Sequence, residues 1–223
     1  SEWDLPNQFR KAMRLSAANN IAEATEVYQS IIKTLEASKV AWNPRQFSYE
    51  LAMAFNNMAW MFATCSDPAQ RKPEDAIKYA MRAVELTPDD GNYWNTLGAA
   101  YFRAGKLDEA LDAFEESMEL RADTSGDSFD WFFLAMIHKR REQNDLAREW
   151  YDKATKWFHA YRPQDTELYQ FQTEAAGLLG LTRPERPILN EIIEPRPIRF
   201  GPGPRKGMRS GEQVHVKQGE GEP

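Results

Sequence analysis

A single cysteine, Cys65, stands among 223 residues, so no intrachain disulfide and no cysteine metal cluster is possible. Histidine is scarce too. His159 and His215 have no metal-ligand partners at useful spacing, and His138 reads as part of a core between helices. No metal or cofactor is expected. No apolar run approaches the roughly 18 residues needed to cross a bilayer. No secretory signal opens the chain, so a cytoplasmic setting is expected, with the native N-terminus left open by the start at Ser1. Positive charge is in deficit. Residues 1–181 hold 20 basic against 28 acidic residues, which argues against a nucleic-acid platform. Apolar content of 42% with 28% charged residues fits a folded, water-soluble body.

What the chain does have is a helical pattern with fixed spacing. Between Gly91 and Leu120 lie Trp94, Leu97, Gly98, Tyr101, Gly105, Ala110 and Phe114. Leu97 and Tyr101 are four apart and share one helix face. Gly98 and Ala110 are small enough to let two antiparallel helices approach. Phe114 follows Ala110 by four and points inward. Gly105 sits where the first helix must stop. Such a pair cannot bury its own apolar face and needs neighbours.

Neighbours can be registered on it. Trp131, Leu134, Ala135, Ala147, Tyr151 and Ala154 repeat the pattern downstream, with His138 in the tyrosine slot. Upstream, Met58, Ala59 and Phe62 replace Leu-Gly-Tyr, followed by Ala76, Ala80, Ala83 and Pro88. A degenerate first copy holds Ala12, Leu15, Ala24, Tyr28 and Ile31. Starts near 5, 52, 91 and 128 lie further apart than the roughly 34 residues of an uninterrupted array. The excess falls at residues 64–75, at 122–128 and before Asn43-Pro44, which reads as a helix cap followed by a first-turn proline.

The pattern predicts nine helices, at about 5–17, 20–38, 44–64, 73–86, 91–104, 107–121, 127–141, 144–160 and 164–180. The last would cap the stack through Leu168, Phe171, Ala175 and Leu178/Leu179, with Gly180 as its stop. Residues 1–181 form this body. From Thr182 the composition changes to seven prolines and six glycines without helical period, the mark of an extended or disordered tail. Ile188, Leu189, Ile192, Ile193, Ile198 and Phe200 leave a second reading open, a docking segment over about 186–204.

These motifs resemble the tetratricopeptide repeat (TPR), in particular the TPR modules of bacterial proteins often joined to Ser/Thr kinase or WD-repeat domains. The resemblance covers the body. It implies an all-α, right-handed solenoid of about four repeats plus a capping helix, and a scaffold for a protein partner. A glycine-rich phosphate loop, an HRD and a DFG are all missing from these residues, so no kinase core lies within them.

In such stacks the first helix of each pair lines a concave face. The resemblance then places Asn56, Trp60, Asn95, Ala99, Phe132 and Met136 in the groove, with Phe102, Arg103, Lys139 and Arg140 one turn further on. The clamp for terminal carboxylates known in the family needs a lysine that Phe9, Met13, Asn56, Trp60, Asn95 and Ala99 do not supply. An extended or apolar partner segment is the expected ligand. The alternatives are a recruiting module of a larger enzyme and a structural subunit anchored by its tail. No catalysis is expected. Cys65 has no histidine nearby in sequence, and pairs such as Asp89-Asp90 and Glu115-Glu116 read as solvated helix ends.

Overall fold

The computed structural model describes residues 4–38, 43–121 and 128–185. The expectations for the tail from 186 onward and for the turn at 122–127 lie outside the described residues. Within them the chain forms nine α-helices: α1 Leu5–Ala17, α2 Ile21–Ala37, α3 Pro44–Thr64, α4 Pro73–Leu86, α5 Gly91–Arg103, α6 Leu107–Leu120, α7 Ser128–Arg140, α8 Asn144–Tyr161 and α9 Thr166–Leu179. A short 3-10 turn, Pro68–Gln70, lies between α3 and α4.

Local chemistry sets the helix ends. Asn43 accepts from the Arg45 amide at 3.0 Å and Pro44 follows as the first helical residue. Asp90 caps α5 through the Asn92 amide at 2.9 Å. Asp165 caps α9 through the amides of Glu167 and Leu168, both at 3.0 Å. The C-terminal ends repeat one device. Asn20, Lys106, Gln143 and Leu181 each donate an amide five residues back, to Leu15, Tyr101, His138 and Ala176, over 2.8–3.0 Å. The residue before each takes a left-handed conformation: Asn19 (φ 58°), Gly105 (φ 78°), Glu142 (φ 61°) and Gly180 (φ 72°). The second pair departs from this. Its lengthened connection is closed by the Lys72 amide on the Phe62 carbonyl at 3.0 Å.

Helices pair as α1/α2, α3/α4, α5/α6 and α7/α8. Each pair stacks on the next, and α9 packs on α7 and α8. The first helices α3, α5, α7 and α9 lie side by side. Gly98 meets the expectation of close approach: a methyl there would stand 3.0 Å from three ring carbons of Phe114. Phe114 is fully buried and stacks on Phe133 with centroids 5.5 Å apart. The ring therefore has little room to retreat. Gly91 is tighter still, since a methyl would lie 2.7 Å from the Ser117 carbonyl oxygen.

Leu97 and Phe114 are buried as expected. Trp94 and Tyr101 are half-buried against the core, and the Trp94 indole donates to the Pro88 carbonyl at 2.8 Å. His138 does not complete a core. It is half-buried, with Nδ1 2.7 Å from the Gln143 side chain. Leu178, expected in the apolar stripe of α9, is exposed.

Gly98→Ala should lower stability by about 1 kcal/mol, because overpacking outweighs the gain in helix propensity. Gly91→Ala should cost more, since a backbone oxygen cannot step aside. Thermal melts in which Gly98→Ala equals or exceeds the parent would refute the tight contact. Glu142→Gly, by contrast, should stabilise by about 0.5–1 kcal/mol by relieving a left-handed backbone at a non-glycine residue. An unchanged melt would show that no strain resides there.

Candidate functional site: the concave face and its resident helix

The concave side of the first helices is where the sequence places a groove. In the structure α9 lies across it. Apart from capping α7 and α8, it reaches back to α5 and α3. Four fully buried residues, Leu168, Phe171, Ala175 and Ala176, seat it. Phe171 meets Phe133 of α7 at 5.1 Å and Trp60 of α3 at 5.8 Å, and Trp60 also meets Phe129 at 5.9 Å. Such tilted and edge-to-face contacts each add about 0.5–1.5 kcal/mol beyond burial.

Two carboxylates of α9 fix its register. Glu167 accepts the Trp60 indole N–H at 2.6 Å. Glu174 accepts a forked pair from Arg103, one arm at 2.8 Å, and lies 3.7 Å from Arg71. The arginines are themselves anchored on helix ends. Arg103 Nε donates to the Ala63 carbonyl at 3.0 Å, Arg71 Nε to the Cys65 carbonyl at 3.1 Å, and Arg140 to the Phe102 carbonyl at 3.4 Å. Cations at the C-terminal ends of α3 and α5 complement the helix dipoles. Gln170 of α9 adds a bond to the Thr64 carbonyl at 3.3 Å.

The two carboxylates titrate in opposite directions. Burial pushes the Glu167 carboxyl up to about 7, against the pull of the Trp60 bond, with Asp165 adding to the rise. Burial also works to raise Glu174, but the Arg103 bond and the charges of Arg103, Arg71 and Arg140 hold it below the usual carboxylate range. Burial pushes the Cys65 thiol up, in keeping with an inert, buried residue.

The expected groove residues divide. Phe102, Phe132 and Met136 are fully buried and offer no surface to a partner. Phe132 turns toward α8, meeting Tyr151 at 6.0 Å and Phe158 at 6.5 Å. Asn95 is buried as well, and its amide donates to Asp130 at 2.8 Å. That carboxylate also accepts from Ser117 at 2.9 Å and pairs with Arg121, so Asn95 joins α5, α6 and α7 internally. Asn56 and Trp60 are half-buried, Arg103 has a buried side chain at the edge of α9, and Arg140 is exposed. Asn56 Oδ1 is buried and lacks a hydrogen-bond partner among the described residues. Sequence reasoning missed Arg71, Glu167 and Glu174. Glu167 and Glu174 flank Phe171 at positions i, i+7 and i+4, and two carboxylates on an apolar stripe were the available signal.

Comparison with known proteins agrees with this architecture. Residues 89–156 match the family model described as tetratricopeptide repeat. Over those residues the chain carries tetratricopeptide repeats. The described body is an all-α TPR solenoid, as the sequence predicts. A crystal structure of nearly identical TPR-like repeats, a kinesin-light-chain-like protein of Podosopora anserina, superposes with a TM-score of 0.54 at 15% identity, covering 81% of this chain and 89% of that one. At that identity the likeness concerns the fold. MamA superposes with a TM-score of 0.44 at 19% identity, over 76% of this chain and 85% of that one. Superkiller protein 3 of Schizosaccharomyces pombe is 33% identical over 75 residues, which are 32% of this chain and 5% of that protein. The matched part is thus a small fraction of that relative's length. Among the described residues no helix is long and apolar enough to cross a membrane.

Because the folded Glu167 holds its proton to higher pH than an unfolded glutamate, native protein binds more protons between about pH 4.5 and 7, and stability falls as pH rises through that window. Glu167→Gln should flatten this slope and exceed the parent by about 2 kcal/mol at pH 8, the Gln oxygen still accepting from Trp60. Denaturant titrations at pH 5 and 8 check it. Parallel pH profiles for parent and variant would refute it.

Proposed function

We propose that this TPR body is a non-catalytic interaction scaffold that holds a segment of a protein partner along the part of its concave face left open by α9. The observation that carries the reading is the half-buried Asn56 on α3, one turn before Trp60 and its contact with α9. Its side-chain amide can both donate to and accept from a partner's peptide backbone. Trp60, half-buried beside it on the same helix, offers an apolar neighbour. Arg140, exposed at the end of α7, extends the surface toward α9. Arg103 sits between them, already engaged by Glu174. Asn95, Phe102, Phe132 and Met136 act through the core and not by contact.

Replacing Asn56 and Arg140 together by alanine should weaken capture of the cellular partner by about tenfold while circular dichroism stays unchanged, since neither belongs to the packed core. Full capture by the double variant would move the interface off the concave face.

A further inference from the structure

Between the loop after α3 and α9 lies an open cleft of about 440 Å³, lined by Ser66, Arg71, Gln170, Glu174 and Arg183 among others. Its charge is out of balance. Arg71, Arg103 and Arg140 all act on the single carboxylate of Glu174. Arg103 takes both of its oxygens. Arg71 reaches it only at 3.7 Å, beyond hydrogen-bonding distance, although its side chain is 13% exposed. The terminal nitrogens of Arg71 make no hydrogen bond among the described residues; only its Nε is used, on Cys65. Burial and then the neighbouring Arg103 weaken the hold of Arg71 on its proton, and Glu174, Cys65 and Asp67 only partly offset this. Arg183 stands exposed on the cleft with no ion pair among the described residues. A desolvated guanidinium without its full set of acceptors is costly, and a second carboxylate would complete it. This basic cleft sits on a body with 20 basic against 28 acidic residues, so it is a local exception.

We propose that the cleft captures a side-chain carboxylate from an acidic segment of a partner protein, with Arg71 and Arg183 closing on it from two sides. Glu174 shows the chemistry the arginines accept, a carboxylate presented by a peptide. The proposal rests on the reading of the chain as an interaction scaffold. It uses the cleft beside the loop after α3 and not the groove residue Asn56.

The probe is a fluorescent peptide of about ten residues alternating Glu and Ser, compared with its Gln counterpart by anisotropy on the full chain. The Glu peptide should bind at least about tenfold tighter, and its affinity should fall between ~50 and ~500 mM salt. Arg71→Gln and Arg183→Gln should each loosen it by about tenfold. Arg183 is exposed, so its variant keeps the test valid if Arg71→Gln perturbs folding. Asn56→Ala should leave peptide affinity unchanged, which separates this site from the groove. Equal binding of Glu and Gln peptides, or an Arg183→Gln variant that binds like the parent, overturns the proposal. Displacement by inorganic phosphate at lower concentration than by glutamate overturns the carboxylate assignment. Binding that appears only after Glu191→Gln and Glu194→Gln makes the chain's own tail the occupant and overturns the partner.

Discussion

The forked pair between Arg103 and Glu174 ties the last helix to the middle of the array. In a repeat solenoid each unit touches only its neighbours, and stability is close to a sum of local terms. Here Arg103 joins the C-terminal end of α3, through the Ala63 carbonyl, to a carboxylate of α9 seventy-one residues away. With the Trp60–Glu167 bond it makes α9 a strut across three first helices. A strut of this kind resists opening of the stack, because α3 and α9 cannot separate without leaving a carboxylate and an arginine unpaired in a buried setting.

The strut would not seat without room made elsewhere. Gly98 lets Phe114 lie against α5, and Phe114 stacks on Phe133. Phe133 in turn meets Phe102 at 5.5 Å and Phe171 at 5.1 Å. A chain of rings thus runs from the contact of α5 and α6 to the underside of α9. Packed interiors transmit small displacements, so a methyl at Gly98 acts on a helix it never touches. The polar counterpart is the Asn95–Asp130–Ser117 network, which holds α5, α6 and α7 together beneath the surface.

The helices were legible because their ends are written locally. Asn43-Pro44 and Gly180 act within a few residues of themselves, and the observed caps lie where those residues predict them. The groove was less legible because exposure is not a local property. Phe132 and Met136 occupy positions that face outward in a bare stack, yet neighbouring helices bury them. Asn95 resembles a surface hydrogen-bonding residue until its partner, thirty-five residues on, is known. The Gly98 contact was readable from spacing, but the tolerance for alanine depended on whether Phe114 had space behind it. Glu167 and Glu174 were visible as carboxylates on an apolar stripe. Only the position of α9 relative to Trp60, Arg71 and Arg103 gives them their roles.

The opposite pulls on those two carboxylates define when the strut is best seated. Glu174 must be ionised to hold Arg103, and its pairing keeps it so well into the acidic range. Glu167 is most comfortable protonated, and it carries charge into a desolvated site above about pH 7. Loss of the proton on Glu167 weakens the Trp60 end of α9, while loss of charge on Glu174 weakens the Arg103 end. Seating is therefore strongest in mildly acidic solution and relaxes on either side for different reasons. At higher pH the end of α9 that loosens is the one beside Trp60, on the same helix as Asn56. The open part of the concave face is then bounded by the more labile end of its resident helix, and the basic cleft by the more firmly held one.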